Sequence, residues 1–185
     1  MYALIIVAVI LILLILFVIG IYNSLIRLRN QVDNAWSQID VQLKRRHDLI
    51  PNLVETAKGY MKHERGTFEA ITEARSRAMG AKTVSEASKA EGALGEALSK
   101  FMLVVENYPD LKANQNFLAV QEELTGTENK ISFARQNYND QVLFFNNKIQ
   151  MFPSNIIANM FNFTKRDFFE IEVAGEREVP KVSFT

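Results

Sequence analysis

The chain opens with an apolar stretch that no charged residue interrupts. Residues 2–21 read YALIIVAVILILLILFVIGI. At about 1.5 Å of rise per residue, a helix of roughly 20 residues is about 30 Å long, which is the thickness of the hydrocarbon core of a bilayer. A charged side chain at that depth would be costly, and none is present. The pattern therefore predicts a transmembrane helix at residues 1–22.

A second hydrophobic pattern follows with no strong helix breaker in between. Apolar residues recur at spacings of three and four through residues 25–43, as on one face of an amphipathic helix. Gly20 weakens the junction only slightly. Pro51 removes one backbone hydrogen bond, so we expect it to bend or restart the helix. The sequence predicts one long helix up to this proline, half in lipid and half in a bundle.

The stripe resumes after Pro51 and predicts a helix over residues 53–78. Gly66 and Thr67 mark a small irregularity within it. Gly80 is the expected stop, because glycine is strongly favoured just past the end of a helix. A new helix should begin soon after this glycine.

Two more long helical patterns and a tail complete the chain. Thr83 and Glu86 have the spacing of a capping box, which starts the third helix. The strongest stripe begins near residue 114 and keeps the nearly heptad spacing of a coiled coil for about 39 residues. Pro153 breaks it, and a short amphipathic helix follows. We expect the tail from residue 164 to be extended or partly disordered.

These elements predict an all-α fold. Long helices joined by short turns, with no strand signal before the tail, form up-and-down bundles with antiparallel neighbours. The expected organisation is a transmembrane helix at residues 1–22, a helical bundle at residues 23–163 and a C-terminal tail at residues 164–185.

The residues that flank the apolar stretch indicate whether it is a cleaved signal peptide and which way it crosses the membrane. A cleaved signal peptide would need a basic segment before the apolar run and a small-x-small cleavage site, and neither is present. Arg27 and Arg29 lie within about two turns of the apolar end, where basic residues favour the cytoplasmic side. We therefore expect a single-pass protein of the cell membrane with its N-terminus outside and its bundle in the cytoplasm. The opposite topology stays open.

Composition and motifs argue against several classes of chemistry. The formal net charge is +0, so no overall field attracts nucleic acid. The chain has no cysteine, and its two histidines, His47 and His63, are too far apart for a zinc-binding helix pair. Neither has a glutamate three residues before it, as a di-iron bundle requires. We expect no cofactor, no metal and no enzymatic activity.

Polar residues fall close to the apolar stripes at several places. They can form solvated polar faces, or a buried or inter-subunit network that fixes the packing register. Both interpretations stay open. The candidate network residues are Asp40, Arg45, Arg46, Asp48, Asn52, Glu55, Glu128, Arg135 and Asn139.

Aromatic residues are concentrated near the C-terminal end. Phe161, Phe163, Phe168 and Phe169 are expected to cover the core, as is Trp36 on the first helix. If the phenylalanines were exposed, they would form an interaction patch.

Two long segments carry a family resemblance. Residues 22–64 read YNSLIRLRNQVDNAWSQIDVQLKRRHDLIPNLVETAKGYMKHE, and residues 108–155 read YPDLKANQNFLAVQEELTGTENKISFARQNYNDQVLFFNNKIQMFPSN. Both resemble the core of the LemA family, which also has one N-terminal membrane helix. The resemblance implies a four-helix up-and-down bundle with a left-handed twist, in bacterial membrane proteins without an established biochemical activity. It offers no catalytic residues to carry over.

The expected function follows from the anchor and the bundle together. We expect a non-enzymatic scaffold of the bacterial envelope that is anchored in the lipid bilayer and self-associates as a homo-oligomer. The alternative is an accessory or docking subunit for another membrane protein, such as a membrane protease, because LemA genes often lie near genes for such proteases. No nucleic-acid partner is expected.

Overall fold

The computed structural model describes residues 1–170, and in this part of the chain all regular secondary structure is helical. The predicted all-α fold, with a long apolar N-terminal helix followed by a helical bundle, is confirmed. Residues 164–170 of the predicted tail contain neither helix nor strand, and residues 171–185 lie outside the described residues. The helices are α1 (Tyr2–Lys58), α2 (Arg65–Met79), α3 (Val84–Val105), α4 (Pro109–Lys112), α5 (Gln115–Gln150) and α6 (Ser154–Met160).

Pro51 lies inside α1 and does not end it, so the prediction that the helix restarts there is wrong. The side chains of the following turn, Leu53 and Ala57, are completely buried. Their packing holds the backbone in helical form although the proline lacks one hydrogen-bond donor. The break comes instead between Lys58 and Arg65, ahead of the irregularity that the sequence suggested at Gly66 and Thr67.

Two helix boundaries were predicted correctly. Gly80 caps the C-terminal end of α2, and its N–H donates to the last carbonyls of that helix. Thr83 caps α3, where its hydroxyl accepts from the N–H of Glu86 at 3.1 Å. The carboxylate of Glu86 in turn accepts from the backbone N–H of Lys82 at 2.9 Å. This reciprocal arrangement satisfies donors that a helix start otherwise leaves free.

The chain divides into two compact units, each built from separate stretches of sequence. Unit 1 consists of Met1–Asp40 and Phe133–Asp167, and unit 2 consists of Val41–Ser132 and Phe168–Thr185. Helices α1 and α5 contribute residues to both units.

Unit 2 contains four long helical segments around one apolar core: the end of α1, then α2, α3 and the first half of α5. The ring centroids of Phe68 and Phe101 are 6.2 Å apart, and those of Phe101 and Phe117 are 6.4 Å apart. The buried core residues are Ile50, Leu53, Val54, Ala57, Met61, Phe68, Ile71, Ala78, Leu94, Phe101, Val105, Leu111, Phe117 and Leu124.

Unit 1 contains two different parts: the apolar start of α1 and a region of packed helices. None of the residues in the apolar 18-residue stretch near the start of α1 is buried, and α1 is the one helix among the described residues that is long and apolar enough to cross a membrane. Beyond it, α1 and the second half of α5 each bury one stripe. The buried apolar residues of these two stripes are Leu25, Val32, Ala35, Ile39, Tyr138, Val142, Phe145 and Ile149, and α6 adds Ile157 and Ala158.

Candidate functional site

Unit 2 buries an arginine, a histidine and a glutamate within its helical core. Arg46 and His47 lie on the inward stripe of α1 between Leu43 and Ile50, and Glu91 lies on the inward stripe of α3. At these positions in the helical repeat, all three side chains are buried. Because burying an unpaired charge is strongly unfavourable, these residues need partners inside the bundle.

The carboxylate of Glu91 is the centre of this buried cluster. Arg46 donates to Glu91 Oε2 through one terminal nitrogen, and His47 Nε2 lies 2.7 Å from Glu91 Oε1. The other terminal nitrogen of Arg46 donates to Glu128 Oε2 at 2.6 Å. The Nε of Arg75 donates to the backbone carbonyl of His47 at 2.7 Å. The cluster therefore links α1, α2, α3 and α5.

Opposing effects set the charge state of Glu91. Burial by itself raises the pKa of its carboxyl group, but the hydrogen bond from His47 and the charge and hydrogen bond of Arg46 outweigh it and lower the pKa below 4.5. Glu91 is therefore ionised at neutral pH and only accepts hydrogen bonds, so His47 Nε2 must carry the proton between them. The cluster therefore stabilises the ionised form of the Glu91 carboxyl group although the group is buried.

The geometry favours a structural role over a chemical one. Both carboxylate oxygens of Glu91 accept hydrogen bonds from side chains of α1, and only 1% of the Glu91 side chain is exposed. The nearby hydroxyl of Ser88 donates to the backbone carbonyl of Glu170. Among residues 1–170, no group of three His, Cys, Asp or Glu side chains is placed to hold a metal ion.

Unit 1 has a separate polar and aromatic cluster next to the apolar helix end. The rings of Tyr22 and Phe161 lie 4.7 Å apart, and the guanidinium of Arg29 lies 5.7 Å from the ring centroid of Phe163. The side chain of Asn146 both donates to the carbonyl and accepts from the N–H of Arg166, each at 2.9 Å. These contacts fasten the segment after α6 to the rest of the unit.

The comparison with known proteins now identifies the chain. Residues 35–184, most of its length, match the LemA family. The chain belongs to the LemA family. This LemA-family chain is 29% identical over 166 residues to Protein LemA of Metamycoplasma hominis, an alignment that covers 89% of this chain and 73% of that protein.

Two further relatives carry a different name. Magnetosome protein MamQ 2 of Paramagnetospirillum magneticum is 22% identical over 184 residues, covering 85% of this chain and 68% of that protein. Magnetosome protein MamQ of Magnetospirillum gryphiswaldense is 21% identical with the same coverage. None of these names denotes an enzyme. Together with the apolar segment of α1, membership of the LemA family supports localisation at a membrane.

Of the nine network residues that the sequence suggested in this LemA-family chain, the structure brings Arg46 into contact with Glu128. Arg46 and Glu128 form a direct ion pair. Arg45, the neighbour of Arg46, faces outward and pairs with Glu123 at 2.5 Å, and Glu55 pairs with Lys58 at 3.1 Å. The remaining predicted residues are exposed (Asp40, Asp48, Asn52) or partly buried (Arg135, Asn139).

Sequence reasoning missed three residues of the cluster, Glu91, His47 and Arg75. Glu91 lies in an Ala- and Gly-rich stretch that carries no family signature. Its signal was its position four residues after Ala87 and three before Leu94, on the apolar stripe of α3. A carboxylate at such a position predicts a buried cation opposite it.

The arginines that flank the anchor and the aromatic residues that were expected to cover the core differ in how far they are buried. Arg27 is exposed, whereas Arg29 is partly buried against Phe163. Phe169 is buried, Phe163 is partly buried, and Phe161 and Phe168 are exposed. Trp36 packs on Tyr138 with ring centroids 5.5 Å apart.

Proposed function

We propose that this LemA-family protein is a non-enzymatic, membrane-anchored scaffold whose helical body self-associates. The main support is that α1 is one uninterrupted helix with two contrasting parts. Its first part is apolar and buries nothing within the protein, whereas its later residues belong to the cores of both units. The hydrocarbon core of a lipid bilayer would cover the exposed apolar side chains of such a helix.

Exposed apolar side chains outside the anchor support self-association. Leu103 on α3 and Val41 on α1, both in unit 2, are 71% and 63% exposed. A second copy of the chain that covered these side chains would remove their apolar surface from water. The buried cluster around Glu91 supports the same role, because buried ionic groups can fix one packing register of a bundle.

Native mass spectrometry of the full chain in mild detergent tests the scaffold. We expect a defined oligomer. Leu103→Ser and Val41→Ser should each weaken it, whereas the exposed polar control Ser99→Ala should not. A spectrum that contains only monomers would overturn the scaffold proposal.

The alternative proposal is a docking subunit for another membrane protein. It is favoured by a groove in unit 2 between the end of α1 and α2, which has an apolar floor of Val54, Met61 and Phe68 and a charged rim. Docking predicts monomers of the purified chain and a stoichiometric complex with one defined membrane protein after gentle solubilisation and crosslinking.

The proposed topology places the N-terminus outside the cell and the helical body in the cytoplasm. It rests on Arg27 and Arg29, which follow the apolar segment. Because the chain has no cysteine, single thiols can be introduced at Tyr2 and Ser99. We expect a membrane-impermeant thiol reagent to label Tyr2→Cys in intact cells and Ser99→Cys only after permeabilisation. The reverse labelling would establish the opposite topology.

A further inference from the structure

Helix α6 and the turn before it carry a row of exposed apolar side chains. Ile156 and Met160 are one turn apart in α6, so they share one side, and they are 56% and 62% exposed. Phe152, in the turn before α6, is 80% exposed. Phe161 at the end of α6 is 50% exposed. The opposite side of α6, with Ile157 and Ala158, is buried. We call Phe152, Ile156, Met160 and Phe161 the α6 ridge.

The ring contact between Tyr22 and Phe161 sets the position of the α6 ridge relative to the anchor. Tyr22 directly follows the apolar run of residues 2–21, at the depth where aromatic residues meet the lipid headgroups. The Phe161 ring lies 4.7 Å from the Tyr22 ring. Ile156 is five residues before Phe161, or about 7.5 Å along the helix. Interfacial helices bury their apolar side about 5–10 Å into this zone.

The sequence around the α6 ridge is basic. Residues 22–30 and 144–166 contain Arg27, Arg29, Lys148, Lys165 and Arg166 but no aspartate or glutamate. Arg166 is paired with Asp33 at 3.0 Å, which leaves a surplus of positive charge. Basic residues attract anionic lipid headgroups within a Debye length of about 8–10 Å.

We propose that the α6 ridge is a second membrane contact, which inserts into the headgroup zone of an anionic bilayer beside the transmembrane helix. This inference rests on the proposed membrane anchor and deepens it, because it gives the helical body a fixed rotation against the bilayer surface. A second copy of the chain fits the α6 ridge less well than an anionic bilayer does. Two such surfaces in contact would bring their basic residues together, and like charges across an interface are unfavourable.

Fluorescence quenching in vesicles tests the α6 ridge directly. The cysteine-free full chain would carry one environment-sensitive fluorophore on Ile156→Cys or Met160→Cys, in vesicles of phosphatidylcholine and phosphatidylglycerol. Some lipids would carry a nitroxide near the headgroup. Matched controls are Phe133→Cys, an exposed apolar position of the same unit, and Ile10→Cys within the anchor.

We expect at least about twofold stronger quenching at Ile156 and Met160 than at Phe133. If these two positions are quenched no more than Phe133 while Ile10 is quenched, the ridge proposal fails and the anchor stands. If Ile10 is not quenched either, the anchor and the proposed function fail with it. Blue-shifted emission at Ile156 without nitroxide quenching would mean that protein covers the ridge, which would also overturn the proposal.

A charge variant tests the anionic part of the proposal. Lys148→Gln with Lys165→Gln should reduce quenching at Ile156 in vesicles that contain phosphatidylglycerol and leave it unchanged in pure phosphatidylcholine. The control is Lys100→Gln, an exposed lysine of unit 2. Equal quenching before and after the double substitution in both lipid mixtures would show that headgroup charge plays no part and would overturn this half of the proposal.

Discussion

Arg46 and Glu91 form an ion pair in which both side chains are buried, with only 2% and 1% of their surfaces exposed. Removing such charges from water costs several kcal/mol per ion, and their attraction offsets this only when further hydrogen bonds complete the arrangement. His47 and Glu128 supply those bonds. The buried Nε of Arg46 has no hydrogen-bond partner among the described residues, so the offset is incomplete. Removing one partner should therefore lower the free energy of unfolding more than removing both partners does.

Replacing Arg46 alone leaves Glu91 buried without its cation. We expect Arg46→Met to lower the free energy of unfolding by about 3–5 kcal/mol, the typical effect of breaking a buried pair. Urea unfolding of the full chain in detergent, followed by circular dichroism, measures it. The matched control is Arg77→Met, whose partner Glu73 lies one helical turn away in an exposed pair. That variant should change stability by about 0.5 kcal/mol or less.

The double variant Arg46→Met with Glu91→Leu tests whether the two charges act as a unit. Because it removes both charges together, we expect it to be more stable than Arg46→Met alone. The same urea titration provides the coupling energy. Additive effects of the two single substitutions would mean that the pair makes no coupled contribution.

The lowered pKa of Glu91 predicts acid sensitivity. In the folded protein the pKa lies below 4.5, so the unfolded chain binds its proton at a higher pH than the folded chain does. The contribution of Glu91 to stability is complete above pH 4.5 and is lost as the pH falls through the folded-state pKa. The stability difference between the natural chain and Glu91→Gln should therefore shrink below pH 4.5. A difference that widens on acidification would contradict this assignment.

Tyr138 predicts the opposite pH dependence in the alkaline range. Burial raises its pKa from 10.0 to about 12. The stabilisation by the neutral phenol is therefore complete below pH 10 and is lost as the pH rises through about 12. Its hydroxyl donates to the carbonyl of Asp167 at 2.8 Å. Tyr138→Phe should cost about 1 kcal/mol at neutral pH, and its stability should lose this part of the alkaline dependence in a pH series of thermal unfolding.

Asn146 holds the segment after α6 through two backbone hydrogen bonds to Arg166. Asn146→Ala removes both hydrogen bonds, so we expect the free energy of unfolding to fall by about 1–3 kcal/mol. Trypsin should also cleave faster after Lys165 and Arg166, because the segment opens more often. The exposed neighbour Asn147 supplies the control, Asn147→Ala. Equal cleavage rates in the two variants would show that Asn146 does not hold this segment.

Local sequence signals predicted much of the fold because their physics is local. The Thr83 cap and the Gly80 stop depend on residues within one turn, and both were found as expected. Pro51 was misjudged because buried packing two and six residues later decides whether the helix continues. Local pattern alone cannot weigh that packing.

The buried cluster was only half predictable because it joins residues that are distant in sequence. Arg45 and Arg46 are adjacent and chemically identical, yet about 100° of helical rotation puts one in water and the other in the core. Glu91 is 45 residues from Arg46. Its role becomes visible only when α3 packs against α1. Whether residues 171–185 are extended or disordered, as the sequence suggests, stays a prediction.

The discontinuous composition of the two units has a consequence for biosynthesis. Residues 1–40 leave the ribosome long before residues 133–167, which complete their unit. At about 5–20 residues per second, the delay for roughly 90 intervening residues is on the order of 10 s. The apolar start of α1 is therefore complete while its later packing partners are still untranslated. Residues 41–132, being contiguous, can collapse during that interval.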